Sequence, residues 1–205
     1  MGGGRRNDPR EHKRAAILRA AVEIFAKRGY AGARMREVAE RAGVADGTPY
    51  LYFKGKEALL IAVLEEHAEA FLVRARRDTE GLSEPAEKLA AVVERHLASL
   101  EADRALAHVF QIELRHSRRF LRQVARGQVA EYLRLIQQII VDGAASGRFR
   151  GDVPAEVAAG AIFGAIDELV TTWVLTARPR PLAEQAPPLL RLLLGGLEPR
   201  TGGGP

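Results

Sequence analysis

The chain has 205 residues, of which 47% are hydrophobic and 28% are charged, and its formal net charge is +5. It contains no cysteine, which excludes a disulfide framework and catalysis by a thiolate. No apolar run approaches the length of a membrane span, so we expect a folded cytoplasmic protein with no membrane partner, although zero cysteine is also compatible with secretion.

The positive charge is concentrated near the N-terminus. Residues 1–56 hold 13 Lys and Arg against 6 Asp and Glu, whereas the remaining residues hold 18 against 20. A basic segment on a slightly acidic body indicates a polyanionic partner at one end of the molecule, and a solvated basic surface is the alternative.

Apolar residues recur at helical spacing along the chain and predict nine helices and no strand. Asp8 is the predicted N-cap of the first helix and Pro9 its first residue. Gly29 is predicted to end this helix, and Gly43 the second one. The predicted helices lie at about residues 9–28, 34–41, 46–52, 56–77, 84–100, 104–116, 118–146 and 154–175, followed by a last helix that ends at Gly195-Gly196.

The second and third helices have the pattern of a helix-turn-helix that reads DNA. Gly43 permits the tight turn, and Asp46 or Ala45 is the predicted cap of the reading helix. We expect Leu51 and Phe53 to face the core. Small and hydroxyl side chains let this helix approach the base edges, and the cations around it neutralise phosphates. The predicted DNA contacts are Arg34, Arg36, Asp46, Gly47, Thr48, Tyr50, Tyr52, Lys54 and Lys56, with further phosphate contacts from Arg5, Arg6 and Arg10.

The run at 43–57 reads Gly-Val-x-x-Gly-Thr-x-Tyr-x-Tyr-Phe-Lys-x-Lys-Glu, and it closely resembles the signature of the TetR family of transcriptional repressors. An ordinary three-helix packing unit is the alternative, but the glycines, hydroxyls and lysines fall where DNA contact needs them. Two positions depart from the family pattern. Ala33-Arg34 replace a hydroxyl cap on the second helix, so Arg34 becomes a predicted phosphate contact, and Pro49 replaces an aliphatic residue in the reading helix.

The resemblance implies an all-helical fold with a DNA-binding domain at 1–55 and a ligand-binding and dimerisation domain at 56–205. It also implies that the last two helices form a four-helix bundle between two subunits. The segment 154–175 is apolar nearly all round, which indicates a partner on one face, and a monomer's central core helix is the alternative. Pro187-Pro188 lies where such proteins have their last helix, so that helix is predicted to start later or to be broken there.

Five basic residues fall between Arg115 and Arg122, beside apolar helices. Such a cluster can hold an anionic head group, and a solvated basic face is the alternative. The segments QIELRHS (111–117), IFGAIDELVTTWVL (162–175) and VADGTPYLYF (44–53) together resemble the fatty-acid-degradation repressors (FadR type) of the TetR family, which bind long-chain acyl-CoA. This resemblance implies CoA-phosphate contacts from Arg115, Arg118, Arg119 and Arg122, and an acyl tunnel lined by Phe110, Leu114, Phe163, Ile166 and Trp173.

The implied function is a dimeric repressor of fatty-acid degradation genes that binds palindromic operator DNA and is released by long-chain acyl-CoA. In the expected mechanism, acyl-CoA favours a body conformation in which the helix at 56–77 moves the two DNA-reading heads apart. One alternative is a TetR-like regulator of another hydrophobic ligand, such as a drug or another acyl thioester.

An acyl-CoA-processing enzyme is the more remote alternative. The sequence has no Gly-x-Ser-x-Gly elbow and no Gly-rich phosphate loop, and its 5 histidines lack metal-ligand spacing. We therefore predict no catalytic residue, no metal and no cofactor other than the effector. The histidines are expected at the surface, and Asp167-Glu168 in a polar network or a dimer contact rather than as an acid/base couple.

Overall fold

The structure is a computed structural model, and it describes residues 8–113 and 127–199. Within these ranges the chain forms nine helices and no strand, which confirms the all-helical prediction. The helices are α1 (Pro9–Gly32), α2 (Met35–Ala42), α3 (Thr48–Tyr52), α4 (Lys56–Thr79), α5 (Pro85–Glu101), α6 (Arg104–His108, continued by a π-helical turn at Val109–Glu113), α7 (Gln128–Ala145), α8 (Ala155–Leu175) and α9 (Leu182–Leu197).

Helix α1 begins as predicted. The Asp8 carboxylate accepts a hydrogen bond from the N–H of Arg10 (2.9 Å), and Pro9 occupies the first helical position. Gly29 has a φ of 69°, a left-handed value that glycine adopts without steric cost, and it interrupts the regular helix. The predicted break is thus present, and the chain adds one more turn, to Gly32, before α2 begins.

The buried side chains form two clusters. The first, which we call the head core, joins α1 and α2 to Phe53 and to the first half of α4, and it includes Leu106 and Val109 from the α6 segment. The second, the body core, joins the second half of α4 to α5, α7, α8 and α9 around Leu97 and Ile136. Helix α6 packs against both α1 and α8, so it lies between the two cores.

Helix α9 runs without interruption through Pro187 and Pro188, so the prediction that it starts later or breaks there is wrong. The Glu101 carboxylate on α5 accepts hydrogen bonds from the N–H groups of Leu182 (2.9 Å) and Ala183 (3.0 Å), which fixes the start of α9 ahead of the prolines. Buried side chains lie on both sides of the prolines, and α9 packs against α5. This packing outweighs the two backbone hydrogen bonds that the prolines remove.

Helix α8 is long and apolar enough to cross a membrane by length and composition, which corrects the expectation that no apolar run approaches that length. The core helix of a globular protein passes the same test. Only 39% of its most apolar window is buried, so much of its apolar surface lies open in the isolated chain.

Candidate DNA interface and ligand cavity

The turn between α2 and α3 depends on glycine at two positions. Gly43 adopts the left-handed conformation (φ 68°, ψ 33°) that commonly ends a helix, as predicted. Gly47 is the N-cap residue of α3, and no side chain caps that helix. The prediction that Asp46 or Ala45 caps it is therefore wrong, and a small residue stands at the start of α3 instead.

Helix α3 faces the head core through Pro49 and Phe53. These residues are four apart and so lie on one side of the helix, and the N–H of Phe53 donates to the carbonyl of Pro49 (2.9 Å). Tyr50 and Leu51 point outward, with 56% and 79% of their surface exposed. The prediction that Leu51 faces the core is wrong, because a spacing of two residues does not keep two side chains on one helical face. Pro49, which stands where the family pattern has an aliphatic residue, is buried.

Most of the predicted DNA contacts are accessible. The exposed ones are Arg34, Arg36, Asp46, Gly47, Tyr50 and Lys54, and the partly buried ones are Thr48, Tyr52 and Lys56. Arg10 is also exposed, whereas Arg5 and Arg6 lie outside the described residues. The N–H of Arg34 donates to the Glu37 carboxylate (3.0 Å), which is the half of a capping box that needs no hydroxyl, and no side chain of the N-cap residue caps α2.

Lys56 has structural partners as well as a place on this surface. Its ammonium donates to the carbonyls of Ala31 and Ala33, both at 3.1 Å, and lies 4.6 Å from the centre of the Tyr30 ring. The first residue of α4 is thereby tied to the connection between α1 and α2. A charged group held by two carbonyls and an aromatic face stabilises that connection.

A cavity of about 490 Å³ lies in the body between α4, α5, α6, α7 and α8. This volume is within the range of small-molecule sites in proteins. Its apolar wall is formed by Phe71, Leu72, Leu106, Phe110, Val129 and Phe163. Polar groups also line it, among them His67, Arg95, His96, Gln111, Tyr132 and Asp167. The cavity can thus hold an apolar ligand that also carries a polar group.

The structure brings together only part of the predicted acyl tunnel. Phe110 and Phe163 line the cavity. Ile166 and Trp173 are buried in the body core and are not among the lining residues. The other predicted ligand contacts, Leu114, Arg115, Arg118, Arg119 and Arg122, lie outside the described residues.

His96 is the main polar residue of the cavity that sequence reasoning missed, since the histidines were expected at the surface. Its Nδ1 lies 3.0 Å from the Tyr132 hydroxyl, and the Phe71 and Phe163 rings pack beside it. Burial lowers the pKa of His96 to about 4, while the charge of Asp167 opposes that shift. His96 is therefore neutral at pH 7. Burial also raises the pKa of Tyr132.

The signal for His96 was present in the sequence. His96 lies three and four residues after Val93 and Val92 and four before Leu100, all of which are buried, so it shares their helical face.

Asp167 and Glu168 have different surroundings. Asp167 lines the cavity, whereas Glu168 is exposed and accepts a hydrogen bond from the Thr172 hydroxyl (3.3 Å). Residues 8–113 and 127–199 contain no group of three metal-ligating side chains.

Two family models match the chain. Residues 17–63 match the model of bacterial regulatory proteins of the tetR family, and residues 64–196 match the C-terminal region of YsiA-like proteins. Among curated proteins, the fatty acid metabolism regulator protein of Bacillus subtilis is 39% identical over 181 residues, which is 88% of this chain and 93% of that protein.

Two solved structures are also similar to it. The fatty acid degradation regulator FadR from Bacillus halodurans superposes with a TM-score of 0.86 at 38% identity, covering 92% of this chain and 97% of that one. FadR from Bacillus subtilis in complex with stearoyl-CoA superposes with a TM-score of 0.84 at 38% identity, covering 90% of this chain and 99% of that one. With both halves matched and these relatives aligned over most of their length, the chain belongs to the TetR family of bacterial transcription regulators and is similar to fatty-acid regulators within it.

Proposed function

We propose that the protein is a dimeric repressor of fatty-acid degradation genes that binds operator DNA through α3 and is released by long-chain acyl-CoA. The observation that carries the proposal is the body cavity, because its aromatic and aliphatic wall suits an acyl chain. The similarity to a FadR structure that contains stearoyl-CoA supports the same ligand class.

The DNA half of the proposal rests on the exposed surface of the head. Arg36, Lys54 and Tyr50 are accessible there, in a segment with a large excess of cations. Cations and hydroxyls of this kind hold phosphates and set the register of a reading helix on the duplex. In our proposal α3 enters the major groove, and Thr48 and Leu51 face the bases.

The dimer half rests on an apolar stripe along α8 and α9. Val157, Leu175 and Leu192 are 57%, 67% and 73% exposed, and a Cβ added at Gly160 or Gly164 would meet no atom within 4 Å. Small residues beside exposed aliphatic ones let a second helix pair approach closely, so we propose that a second copy of the chain covers this stripe. That arrangement also accounts for the membrane-like composition of α8.

For the ligand, we propose that the acyl chain lies along Phe110 and Phe163. For the phosphates of CoA we propose contacts from Arg115, Arg118, Arg119 and Arg122, as the resemblance implies. A TetR-like regulator of another hydrophobic ligand remains the second candidate, and the polar groups His96 and Asp167 are the observation that favours it. We further propose a cytoplasmic protein that performs no catalysis and needs no cofactor, as its regulator relatives suggest.

Filling the cavity tests the ligand half. Ala68 on α4 lines the cavity, so Ala68→Trp should weaken lauroyl-CoA binding at least about tenfold by isothermal titration calorimetry. Val73 lies on the same helix but is 63% exposed, so Val73→Trp is the matched control and should bind as the wild type does. Equal lauroyl-CoA affinities for both variants would place the ligand outside this cavity.

A further inference from the structure

The π-helical turn at Val109–Glu113 touches both halves of the molecule within five residues. Val109 is fully buried in the head core, whereas Phe110 and Gln111 line the body cavity. Glu113 ends the turn and is only 7% exposed. Turns of this kind recur at functional sites because they interrupt the regular register of a helix.

Glu113 is bonded to the head. Its carboxylate accepts a hydrogen bond from the N–H of Tyr30 (2.6 Å). The Tyr30 N–H needs an acceptor outside the regular helix pattern, because Gly29 departs from helical geometry just before it. A Cβ added at Gly29 would lie 3.6 Å from the Glu113 carboxylate, so the two chain segments are in close approach.

Tyr30 lies next to the start of the helix-turn-helix. Lys56, the first residue of α4, lies over the Tyr30 ring and donates to the carbonyls of Ala31 and Ala33. Met35 begins α2 two residues after Ala33. A displacement of Glu113 that moves Tyr30 can therefore also move the starts of α2 and α4.

The other end of the turn is bonded to the body. The Thr171 hydroxyl on α8 donates to the Gln111 side-chain carbonyl (2.9 Å), and Phe110 stands in the cavity wall. Phe110 and Glu113 are three residues apart, within one helical turn. We expect a ligand that displaces Phe110 or Gln111 to move Glu113 as well, because closely packed interiors transmit strain.

We propose that Glu113 is the positioning residue that couples the cavity to the head, through its hydrogen bond to the Tyr30 amide. In the DNA-binding conformation this bond holds the end of α1 and, through Lys56, the orientation of the helix-turn-helix. Ligand in the cavity shifts the π turn, the bond is lost, and the head leaves its DNA-binding orientation. The inference rests on the proposed function, since it names the route by which the same cavity controls DNA binding.

Two variants separate this role from simple stability. Glu113→Ala removes the acceptor, whereas Glu113→Gln keeps an oxygen that can accept from the Tyr30 amide. The quantity measured is the coupling factor, defined as the ratio of the dissociation constants for operator DNA with and without saturating lauroyl-CoA, from fluorescence anisotropy. We expect Glu113→Ala to lower this factor by about tenfold relative to wild type, and Glu113→Gln to restore most of it.

Lauroyl-CoA affinity in the absence of DNA serves as the second readout. In Glu113→Ala it should be at least as tight as in wild type, because the ligand no longer has to break the bond. A Glu113→Ala protein with the wild-type coupling factor would overturn the inference. If the wild-type protein itself is not released by lauroyl-CoA, the proposed function fails instead, so the two failures are distinguishable.

A measurement on the wild-type protein covers the case in which Glu113→Ala does not fold. Amide hydrogen exchange at Tyr30 should accelerate when lauroyl-CoA is added, while exchange in the middle of α1 stays unchanged. Unchanged protection of the Tyr30 amide at saturating lauroyl-CoA would contradict the proposed loss of the bond.

Discussion

At the scale of single residues, the neighbours of each cation decide what that cation can do. Arg36 and Lys56 both lie on the predicted DNA-contacting surface, but Arg36 is exposed and Lys56 is held by two carbonyls and an aromatic ring. Removing Arg36 affects only what it meets in the complex. Removing Lys56 also affects the free protein.

We predict that Arg36→Ala lowers the salt slope of operator binding by about two units per dimer, one for each copy of Arg36, and leaves the melting temperature unchanged. Lys56→Ala should in addition lower the free energy of unfolding by about 1–3 kcal/mol, because it leaves two carbonyls without their charged donor. Salt titrations of DNA binding and urea unfolding provide the two readouts. An unchanged slope in Arg36→Ala would remove this residue from the phosphate contacts.

His96 gives the protein a defined pH response. Its pKa is about 4 in the folded protein, below the ordinary value of 6.5, so the folded state binds fewer protons between these values. The contribution of His96 to the free energy of unfolding has its full value above pH 6.5 and decreases as the pH falls toward 4. From pH 7 to pH 5 the loss amounts to about 2 kcal/mol.

The variant His96→Phe cannot be protonated, so it should lose about 2 kcal/mol less than wild type between pH 7 and pH 5. Urea unfolding at the two pH values measures this difference for both proteins. The same decrease in wild type and variant would show that His96 is solvated and titrates normally in the folded state.

At the scale of elements, helix ends here are completed by side chains from other helices. The Arg104 guanidinium on α6 donates to the carbonyls of Trp173 (3.3 Å), Val174 (3.1 Å) and Thr176 (2.6 Å) at the end of α8. A cation at a helix C-terminus also interacts favourably with the helix dipole. Glu101 plays the corresponding role at the start of α9.

We predict that Glu101→Ala destabilises the protein by about 1–2 kcal/mol, because two backbone N–H groups at the start of α9 lose their acceptor. Glu101→Gln keeps an acceptor oxygen and should lose less than half of that. Urea unfolding at one fixed protein concentration gives both values. Equal losses in the two variants would assign the effect to the charge of Glu101 instead of to its hydrogen bonds.

Local patterns predicted the elements well where the deciding contacts are local. Asp8-Pro9 and Gly43 define a helix start and a helix end by their own chemistry, and both are where the sequence puts them. The continuous α9 depends on Glu101, which is 81 residues from Leu182, so the prolines alone gave the wrong prediction. The π turn has no apolar spacing that distinguishes it from an α-helix, so the sequence did not predict it.

The candidate site likewise has a part that is local in sequence and a part that is not. The proposed DNA-reading surface lies mostly in one short segment, so residue types and spacing predict it without the fold. The cavity draws its wall from α4, α5, α6, α7 and α8, so its polar members His96 and Tyr132 become neighbours only in three dimensions. Leu51 was misplaced because a helical face was assigned from a spacing of two.

At the scale of the whole molecule, the proposed binding to a palindrome requires two copies of the chain. Two reading helices at a fixed separation match two half-sites of a palindrome, whereas a single copy reads only one. The exposed apolar stripe on α8 and α9 is where we propose that the copies meet, and Leu192 is its most exposed large hydrophobic residue.

We predict that Leu192→Glu converts the protein from a dimer to a monomer in size-exclusion chromatography with light scattering, because it places charges in an apolar interface. Val73→Glu changes another exposed aliphatic residue, on α4, and should stay dimeric. A dimeric Leu192→Glu protein would mean that the copies meet through another surface.

A gel-shift assay measures whether acyl-CoA in the body controls DNA binding by the head, as we propose. The assay uses the DNA upstream of the protein's own gene, or a palindrome selected from random DNA, with and without lauroyl-CoA. We predict a shifted band that lauroyl-CoA abolishes and free CoA does not, and an Ala68→Trp protein that stays bound in its presence. A band that persists at saturating lauroyl-CoA would contradict the account and leave a DNA-binding regulator with another ligand.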